Sequence, residues 1–383
     1  MTEKERIFLA SPHMSDEGYE MEYIKEAFET NWIAPLGANV TNFEKEICQK
    51  IGCKAAVALS SGTAAMHLAL KLLNVKEGDL IFCQDLTFSA TANPIMYERA
   101  KPVFIDSDRE TWNMSPEALT RAFEKYEAIG QKPKAVVIVH LYGLAADMDE
   151  ITRICKKYDT PIIEDAAESL GTIYKDKMTG TFGDYSILSF NGNKIITSSG
   201  GGMLLCNTAK AGDDAKKTLF WATQARDQAR YYQHSELGYN YRMSNIVAGI
   251  GRGQLKVLDE RVKKKRQIYS VYQEAFADVP DITMMPIHDG IEKSNCWLSC
   301  MVLADDSKVT PLDVQLALEA DNIEARHIWK PMHMQPFFAE CDYIDNGDIG
   351  QWLFEQGVCL PSDTKMTERD MSRIIKIIKD LWK

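Results

Sequence analysis

The chain has 383 residues, enough for two domains around a large core, and its 45% apolar and 26% charged residues are typical of a soluble globular protein. A net charge of −11 argues against nucleic-acid binding, which needs a basic surface. No run of 18 apolar residues predicts a membrane span, and the charged segment 1–6 leads into no signal-type apolar region, so we expect a cytoplasmic protein. Nine cysteines without CxxC pairs, and histidines without metal-ligand spacing, predict no metal site.

Short apolar runs alternate with helical patterns between about residues 55 and 210, which predicts a mostly parallel sheet covered by helices. The seven predicted strands are Ala55–Leu59, Leu80–Cys83, Pro102–Ile105, Ala135–Val139, Pro161–Glu164, Tyr185–Phe190 and Met203–Cys206. Helices are predicted near 63–74, 88–98, 115–128 and 147–158. Ser115 would cap the third of these helices, with Pro116 at its first position.

The first predicted strand runs into the turn 60–65, Ser-Ser-Gly-Thr-Ala-Ala, which opens a helix. Gly62 permits close backbone approach, the free amides and dipole of a helix N-terminus suit a phosphate dianion, and the Thr63 hydroxyl could add a hydrogen bond. Taken alone, the segment is explained equally well as a capped helix start.

Phe88 follows the second predicted strand. Because the carboxyl ends of parallel strands meet at one crevice, Phe88 could stack there on a planar ring. Without other motifs, a core aromatic would be the default interpretation.

Two further residues lie at predicted strand ends. Asp165 follows the run 161–164, and a carboxylate there could hold a protonated pyridine nitrogen. Lys194 follows the strand 185–190, and a lysine on such a turn can form an imine with an aldehyde cofactor. Ser189, just before this turn, could contact a phosphate. A lysine for the aldehyde and an acid for the ring is the pairing expected of a pyridoxal phosphate (PLP) enzyme.

The alternation of strand and helix patterns ends before about residue 240. One long helix is predicted from Met243 to Ala277, ended by Pro280. The remainder reads as a smaller α+β region with a strand at Trp297–Leu303 and helices near 310–321 and 366–382. We therefore expect a large cofactor-binding domain over 1–250 and a small domain over 251–383, with residues 1–30 packing against either.

These motifs resemble the DegT/StrS family of sugar aminotransferases along nearly the whole chain. The matching segments are Ser-Gly-Thr-Ala-Ala at 61–65, Thr-Phe at 87–88, Glu-Asp-Ala-Ala at 164–167, Ser-Phe-x-x-x-Lys at 189–194 and Gly-Tyr-Asn-Tyr-Arg-Met at 238–243. The resemblance implies PLP as cofactor and the α/β fold type I of aspartate aminotransferase, with a large, mostly parallel, seven-stranded sheet and a smaller C-terminal α+β domain.

The resemblance also implies roles for individual residues. The cofactor-binding positions would be Gly62, Thr63, Phe88, Asp165, Glu168, Ser189, Lys194 and Asn240. Lys194 and Asp165 would be the catalytic pair, and Asn240 would reach the phosphate of the neighbouring subunit in a homodimer with shared active sites. Many relatives carry an amide or histidine at position 168, near the ring hydroxyl. A carboxylate there would have to be protonated, hydrogen-bonded elsewhere or turned toward the sugar.

Within the family, the chain is most similar to the UDP-N-acetylbacillosamine transaminase type, which aminates a UDP-linked 4-keto-6-deoxy sugar. The similar segments are 31–37, 168–171, 189–196, 249–254 and 329–333. This similarity implies L-glutamate as amino donor and a sugar nucleotide as acceptor. The predicted substrate contacts are Trp32, Ile33, Arg242, Arg326, His327, Lys330, Met332 and His333.

Four alternatives remain open from the sequence. The acceptor could be a GDP- or dTDP-linked keto sugar. A PLP-dependent sugar dehydratase would tend to carry histidine in place of Lys194. A non-catalytic PLP-binding regulator would not need the full catalytic set. An unrelated nucleotide-binding module could use Gly200–Gly202 as a phosphate loop, although this stretch lacks the Walker lysine pattern.

Overall fold

The computed structural model describes residues 5–288 and 290–383. Its helices are α1 (Tyr19–Glu29), α2 (Ala38–Ile51), α3 (Gly62–Leu72), α4 (Ser89–Tyr97), α5 (Pro116–Glu127), α6 (Met148–Lys157), α7 (Ala211–Ala222), α8 (Asn245–Lys256), α9 (Leu258–Phe276), α10 (Pro311–Glu319), α11 (Ile349–Gln356) and α12 (Glu368–Asp380). Its strands are β1 (Ala55–Leu59), β2 (Leu80–Gln84), β3 (Lys101–Ile105), β4 (Ala135–Val139), β5 (Ile162–Asp165), β6 (Ile173–Tyr174), β7 (Lys177–Met178), β8 (Tyr185–Ser189), β9 (Gly202–Cys206), β10 (Ile282–Met284), β11 (Glu292–Lys293), β12 (Ser299–Leu303), β13 (Arg326–His327), β14 (Asp342–Ile344) and β15 (Gly357–Leu360).

The large sheet has the strand order β1-β9-β8-β5-β4-β2-β3-β14. All seven predicted strands lie in it, and β14 from the C-terminal region adds an eighth by pairing in parallel with β3. Only β9 runs against its neighbours. The carboxyl ends of β1, β2, β5 and β8 therefore open at the same edge of the sheet, where ligands bind in folds of this kind. The predicted α/β fold class is confirmed.

Both faces of this sheet are covered by helices. Ile81 and Cys83 of β2 share a core cluster with Leu68 of α3, whereas Phe82 between them packs on Phe123 of α5, with ring centroids 5.1 Å apart. Successive strand residues point to opposite faces, so a strand buried on both sides reads as a continuous apolar run. This explains why the strands could be located from the sequence.

The helix predicted over 243–277 is instead two helices, α8 and α9. They separate at Val257, whose N–H bonds to the carbonyl of Gln254, three residues back, at 3.1 Å. The break lets α8 pack on α1 and α2 while Tyr272 and Phe276 of α9 enter the C-terminal core. A single straight helix would not bury both apolar surfaces. The predicted domain boundary at 250/251 falls inside α8.

The C-terminal region forms a second sheet of order β10-β12-β15-β13. The N-terminal segment contacts both regions: the N–H of Ile7 bonds to the carbonyl of Asn322, and Asn39 of α2 donates a 3.2 Å hydrogen bond to the carbonyl of Tyr23. Among the helices described, none is long and apolar enough to cross a membrane.

Candidate active site

A cleft of about 320 Å³ opens at the carboxyl edge of the large sheet. It is bounded by the segments that follow β1, β2, β5 and β8, and by the turn that precedes β9. Seven of the predicted cofactor residues line it, namely Gly62, Thr63, Phe88, Asp165, Glu168, Ser189 and Lys194. The fold therefore brings together residues that are up to 132 positions apart in the sequence, as expected when the carboxyl ends of parallel strands meet at one edge of a sheet.

One end of the cleft is the start of α3. Ser61 caps this helix by accepting a 3.0 Å hydrogen bond from the N–H of Ala64. The first amides of a helix have no intrahelical acceptor, so Gly62 and Thr63 offer N–H groups and a positive dipole end to an anion.

Gly202 keeps this helix start close to the sheet. A Cβ at Gly202 would lie 2.3 Å from the nitrogen of Gly62, so only glycine fits there. Gly202 begins the antiparallel strand β9, with no helix directly after it. The alternative in which Gly200–Gly202 forms a nucleotide-binding loop is therefore not favoured.

Asp165 is the last residue of β5 and is buried at the floor of the cleft. Its Oδ2 accepts a 2.7 Å hydrogen bond from the Thr91 hydroxyl, and its Oδ1 accepts one of 3.1 Å from the N–H of Ala167. Both donors are neutral, so they orient the carboxylate without neutralising it. A protonated ring nitrogen would supply the opposite charge.

The Lys194 side chain lies beside two groups of the cleft wall. Its Nζ is 3.6 Å from Oε1 of Glu168 and 4.2 Å from the ring centroid of Trp297. Trp297 is held in turn by a 2.7 Å hydrogen bond from its Nε1 to the carbonyl of Asn193. The amine is thus fixed against an acid and an aromatic face, with 12% of the side chain exposed.

Glu168 is buried, and its Oε2 accepts a 2.7 Å hydrogen bond from the N–H of Tyr142. Burial raises the pKa of its carboxyl, although the Lys194 amine and the Tyr142 N–H oppose this change. Of the three possibilities that the sequence leaves open for Glu168, the structure favours hydrogen bonding within the protein, with one oxygen directed at Lys194.

Phe88 is 52% exposed, so the core interpretation does not apply to it. Its ring lies 5.4 Å from that of Trp329 across the cleft mouth. An exposed aromatic face at the cleft is available to a planar ligand.

The comparisons with known proteins agree with this geometry. The profile of the DegT/DnrJ/EryC1/StrS aminotransferase family matches residues 15–379. The chain belongs to the DegT/DnrJ/EryC1/StrS aminotransferase family. It is 53% identical over 98% of its length to EpsN of Bacillus subtilis (96% of that protein), whose name describes it provisionally as a pyridoxal phosphate-dependent aminotransferase.

Two further relatives extend the comparison. A GDP-perosamine synthase of Caulobacter vibrioides is 34% identical over 98% of each chain. The crystal structure of a DegT/DnrJ/EryC1/StrS aminotransferase from Brucella abortus superposes with a TM-score of 0.87, at 26% identity over 95% of each chain. The protein is therefore a PLP-dependent aminotransferase.

The residues present fit the cofactor of a DegT/DnrJ/EryC1/StrS aminotransferase. Asp165 supplies an acid for the ring nitrogen, Lys194 an amine for the aldehyde, and the start of α3 an anion-binding helix end. Phe88 supplies an exposed aromatic face. These contacts with PLP remain assignments by position.

The eight predicted substrate residues, unlike the cofactor residues, do not line the cleft of one protomer. Met332 was predicted as a substrate contact, but its side chain is 2% exposed in a core cluster and does not face the cleft. His333 places Nδ1 2.6 Å from Oδ2 of the buried Asp85. Arg326 forms an ion pair with Glu324, with an N–O distance of 2.7 Å.

Two other predicted substrate residues also lie outside the cleft. The ring of His327 packs on that of Phe354, and Lys330 is half-buried.

Arg242 is also engaged within its own protomer. It forms an ion pair with Glu44 and donates a 3.0 Å hydrogen bond to the carbonyl of Ala58, with 7% of its side chain exposed. Its charge is therefore neutralised before any substrate arrives. Asn240, Trp32 and Ile33 lie on the surface.

The sequence analysis missed three residues that shape the cleft. Thr91 orients Asp165, and Trp297 and Trp329 form the walls. A signal existed for Thr91, because it lies one helical turn after Thr87, beyond the end of β2, and the two hydroxyls are 2.8 Å apart. Trp329 lies between two predicted substrate residues, His327 and Lys330.

A larger groove of about 1070 Å³ lies between α9 and α12. By volume alone, this groove would be the first candidate for the active site. None of the predicted site residues lines it, and it does not lie at the carboxyl edge of the large sheet, so the chemistry assigns the active site to the smaller cleft.

Proposed function

We propose that this aminotransferase moves an amino group from L-glutamate to the C4 carbonyl of a 4-keto-6-deoxy sugar nucleotide. The first candidate acceptor is UDP-2-acetamido-2,6-dideoxy-4-keto-hexose, which would give a 4-amino sugar nucleotide for bacillosamine-type glycans. The observation that carries the aminotransfer is that Lys194 and Asp165 share one cleft with the N-terminus of α3.

The bound cofactor supplies an electron sink for the pair released at Cα of the amino donor. Asp165, oriented by Thr91, would hold a protonated ring nitrogen. The Lys194 amine would take up the Cα proton of the donor and later release it, as general base and then general acid. The same residues act in reverse on the keto sugar, so two half-reactions share one site and the kinetics are ping-pong.

The charges of the cleft support a contribution from a second subunit. Among the described residues that line it, Lys194 is the only lysine or arginine, beside the two acids Asp165 and Glu168. A sugar nucleotide carries a diphosphate and glutamate carries two carboxylates. Cationic groups from outside one protomer's cleft would be needed to balance these anions.

The segment 226–240 is suited to supply such groups in a homodimer. It contains Arg226 and Arg230, and Tyr231 and Tyr232 in it are 68% and 79% exposed. Large exposed apolar side chains grouped in one segment are typical of an interface. We therefore keep the assignment of Asn240 to the phosphate of the partner's site, with Trp32 and Ile33 as further exposed candidates for the shared surface.

The nucleotide has a second candidate. The relative at 34% identity is named a GDP-perosamine synthase, and this name supports a GDP-linked sugar as the alternative acceptor. The Trp329 ring at the cleft wall would accept either base, since stacking on an aromatic ring does not depend on a hydrogen-bond pattern.

The test is a panel of UDP-, GDP- and dTDP-linked 4-keto-6-deoxy sugars with L-glutamate, with products identified by mass and by NMR at C4. We expect the highest kcat/KM for the UDP-linked N-acetylated sugar, with Lys194→Ala inactive on all acceptors. A preference for the GDP-linked sugar would select the second candidate. Conversion of the cofactor by glutamate without turnover of any keto sugar nucleotide would overturn the proposed acceptor class.

A further inference from the structure

Tyr142 lies behind the cleft in an unusual conformation. Its φ of 53° and ψ of 16° are left-handed, although it is a bulky residue, and it is fully buried. Backbone strain of this kind persists where surrounding contacts require it, often at functional sites.

Tyr142 makes two hydrogen bonds that lead to the cleft. Its N–H donates to Oε2 of Glu168 at 2.7 Å, and its hydroxyl accepts a 2.9 Å hydrogen bond from the N–H of Trp329. Because Oε2 of Glu168 is occupied, Oε1 is the oxygen that faces Nζ of Lys194 at 3.6 Å. The main chain of Glu168 is also fixed, by a 2.9 Å hydrogen bond from Asn295 Nδ2 to its carbonyl.

We propose that Glu168 is the proton partner of Lys194, and that Tyr142 positions it. The exchange converts an ammonium and a carboxylate into an amine and a carboxylic acid. One proton moves from Nζ of Lys194 to Oε1 of Glu168, and it returns when the amine must again be an acid. The net charge of the pair does not change. This deepens the aminotransfer role of Lys194 and does not depend on which sugar is the acceptor.

The surroundings of Glu168 favour a carboxyl that can take up a proton. The titratable groups that face it are Lys194, Asp165 and Tyr142, and the thiols of Cys300 and Cys359 lie behind Tyr142. Burial and the negative charge of Asp165 both raise the pKa of Glu168. Lys194 is the only cation in this group, so it is the donor available.

The pKa of Glu164 is shifted in the opposite direction from that of Glu168. It is equally buried, but it accepts hydrogen bonds from the N–H groups of Gly180, Phe182 and Gly183 at 2.6–2.8 Å, and one of 2.9 Å from His140. Burial alone would raise the pKa of Glu164, but these donors lower it overall. A carboxylate so fully bonded has no oxygen left for a proton, whereas Glu168 has a single N–H bond and one oxygen facing an amine.

The test is a spectrophotometric titration of the holoenzyme, which follows protonation of the cofactor-linked nitrogen of Lys194 and needs no sugar. The first variant is Glu168→Gln, which keeps the shape of the side chain and an acceptor for the Tyr142 N–H. An anion beside a cationic nitrogen stabilises its protonated form, so loss of that anion should lower the apparent pKa of the chromophore by about one unit or more.

Glu292→Gln is the matched control. Glu292 is also buried and accepts a 2.8 Å hydrogen bond from a backbone N–H, that of Ala145, but it has no contact with Lys194. This variant should titrate like the wild type. Glu168→Asp retains a carboxylate at greater distance and should give an intermediate shift, which separates proton exchange from simple disruption of the fold.

Two Tyr142 variants test positioning. Tyr142→Phe keeps the backbone N–H to Glu168 and should titrate like the wild type. Tyr142→Gly also keeps this N–H, but it loses the ring that stacks on Trp297 and Trp329, so the main chain is free to move away from Glu168. This variant should reproduce a large part of the Glu168→Gln shift. Wild-type titration of Glu168→Gln would overturn the proton exchange, and wild-type titration of Tyr142→Gly would overturn the positioning role. Neither result would affect the acceptor panel, which tests the proposed function separately.

Discussion

The hydroxyl of Thr91 donates a 2.7 Å hydrogen bond to Oδ2 of Asp165, and this bond joins the first turn of α4 to the end of β5. Thr91 is in turn 2.8 Å from the hydroxyl of Thr87. The acid at the floor of the cleft is thus oriented by a chain of neutral hydroxyl groups. Such a chain fixes direction without reducing the charge that the cofactor ring would meet.

Replacement of this donor should weaken cofactor binding. In Thr91→Val the carboxylate loses a hydrogen bond to a charged group, worth about 1.5–3 kcal/mol, so the Kd for PLP should rise by tenfold or more. The rise is measured by absorbance titration of the cofactor-free protein. Thr152→Val is the matched control, because the Thr152 hydroxyl is buried without a hydrogen-bond partner among the described residues. Equal Kd values in both variants would contradict the role of Thr91.

Gly202→Ala should displace the start of α3. The new Cβ would lie 2.3 Å from the nitrogen of Gly62, and such overpacking costs about 1–3 kcal/mol of the free energy of unfolding. Affinity for PLP and for inorganic phosphate should fall with it. Gly212→Ala, where no atom lies within 4 Å of the added Cβ, should leave stability and affinity unchanged or slightly improved. Urea denaturation and phosphate competition measure the two effects, and a fully stable Gly202→Ala protein would be the contrary result.

The pair of His333 and Asp85 should make stability depend on pH. Burial alone would lower the pKa of His333, but Asp85 raises it overall, with Asp106 and Asp348 acting in the same direction. A histidine whose pKa is higher in the folded than in the unfolded protein stabilises the fold fully below the unfolded pKa of about 6.5, and this stabilisation is lost as the pH rises through the folded value.

Urea midpoints of the wild type should therefore fall from pH 6 to pH 9. Burial also raises the pKa of Asp85, which acts in the same direction at lower pH. His333→Ala should lower the free energy of unfolding at pH 6 by about 3 kcal/mol, because it leaves a buried carboxylate unpaired. It should also flatten the pH dependence between pH 6 and 9. A slope as steep as that of the wild type would show that another group titrates.

Hybrid dimers should reveal the shared active site. Asn240→Ala and Lys194→Ala are each expected to be impaired alone. A mixed dimer contains one site with Lys194 from one subunit and Asn240 from the other, so an equimolar mixture should recover about a quarter of wild-type turnover. Lys194→Ala mixed with Asp165→Asn is the control, because these residues line the cleft of the same protomer and no intact site can form. Equal turnover in the two mixtures would refute a contribution of Asn240 across the interface.

The fold and the cofactor end of the site could be predicted because their signals are local. Strands buried on both faces are continuous apolar runs, and the polar residues just beyond them converge at one edge, as Asp165 and Lys194 do. Helix α2 was not predicted, although Val40, Phe43 and Ile47 give it a readable apolar stripe. The sequence therefore contained enough information to predict α2.

The substrate end could not be predicted in the same way, because the state of each charged residue depends on distant partners. Arg242 appeared available in the sequence, but it is neutralised by Glu44, 198 positions away. His333 is committed to Asp85, 248 positions away. The same holds for Trp329, whose place at the cleft follows from the bond of its N–H to the Tyr142 hydroxyl.

The most direct test of the whole account is reduction of the holoenzyme with borohydride, followed by mass mapping of the peptides. We expect the reduced cofactor on the peptide that contains Lys194, and on no other. A label on a different lysine, such as the buried Lys265, whose pKa burial lowers to about 8, would contradict the assignment of the active site. The absence of any label would do the same.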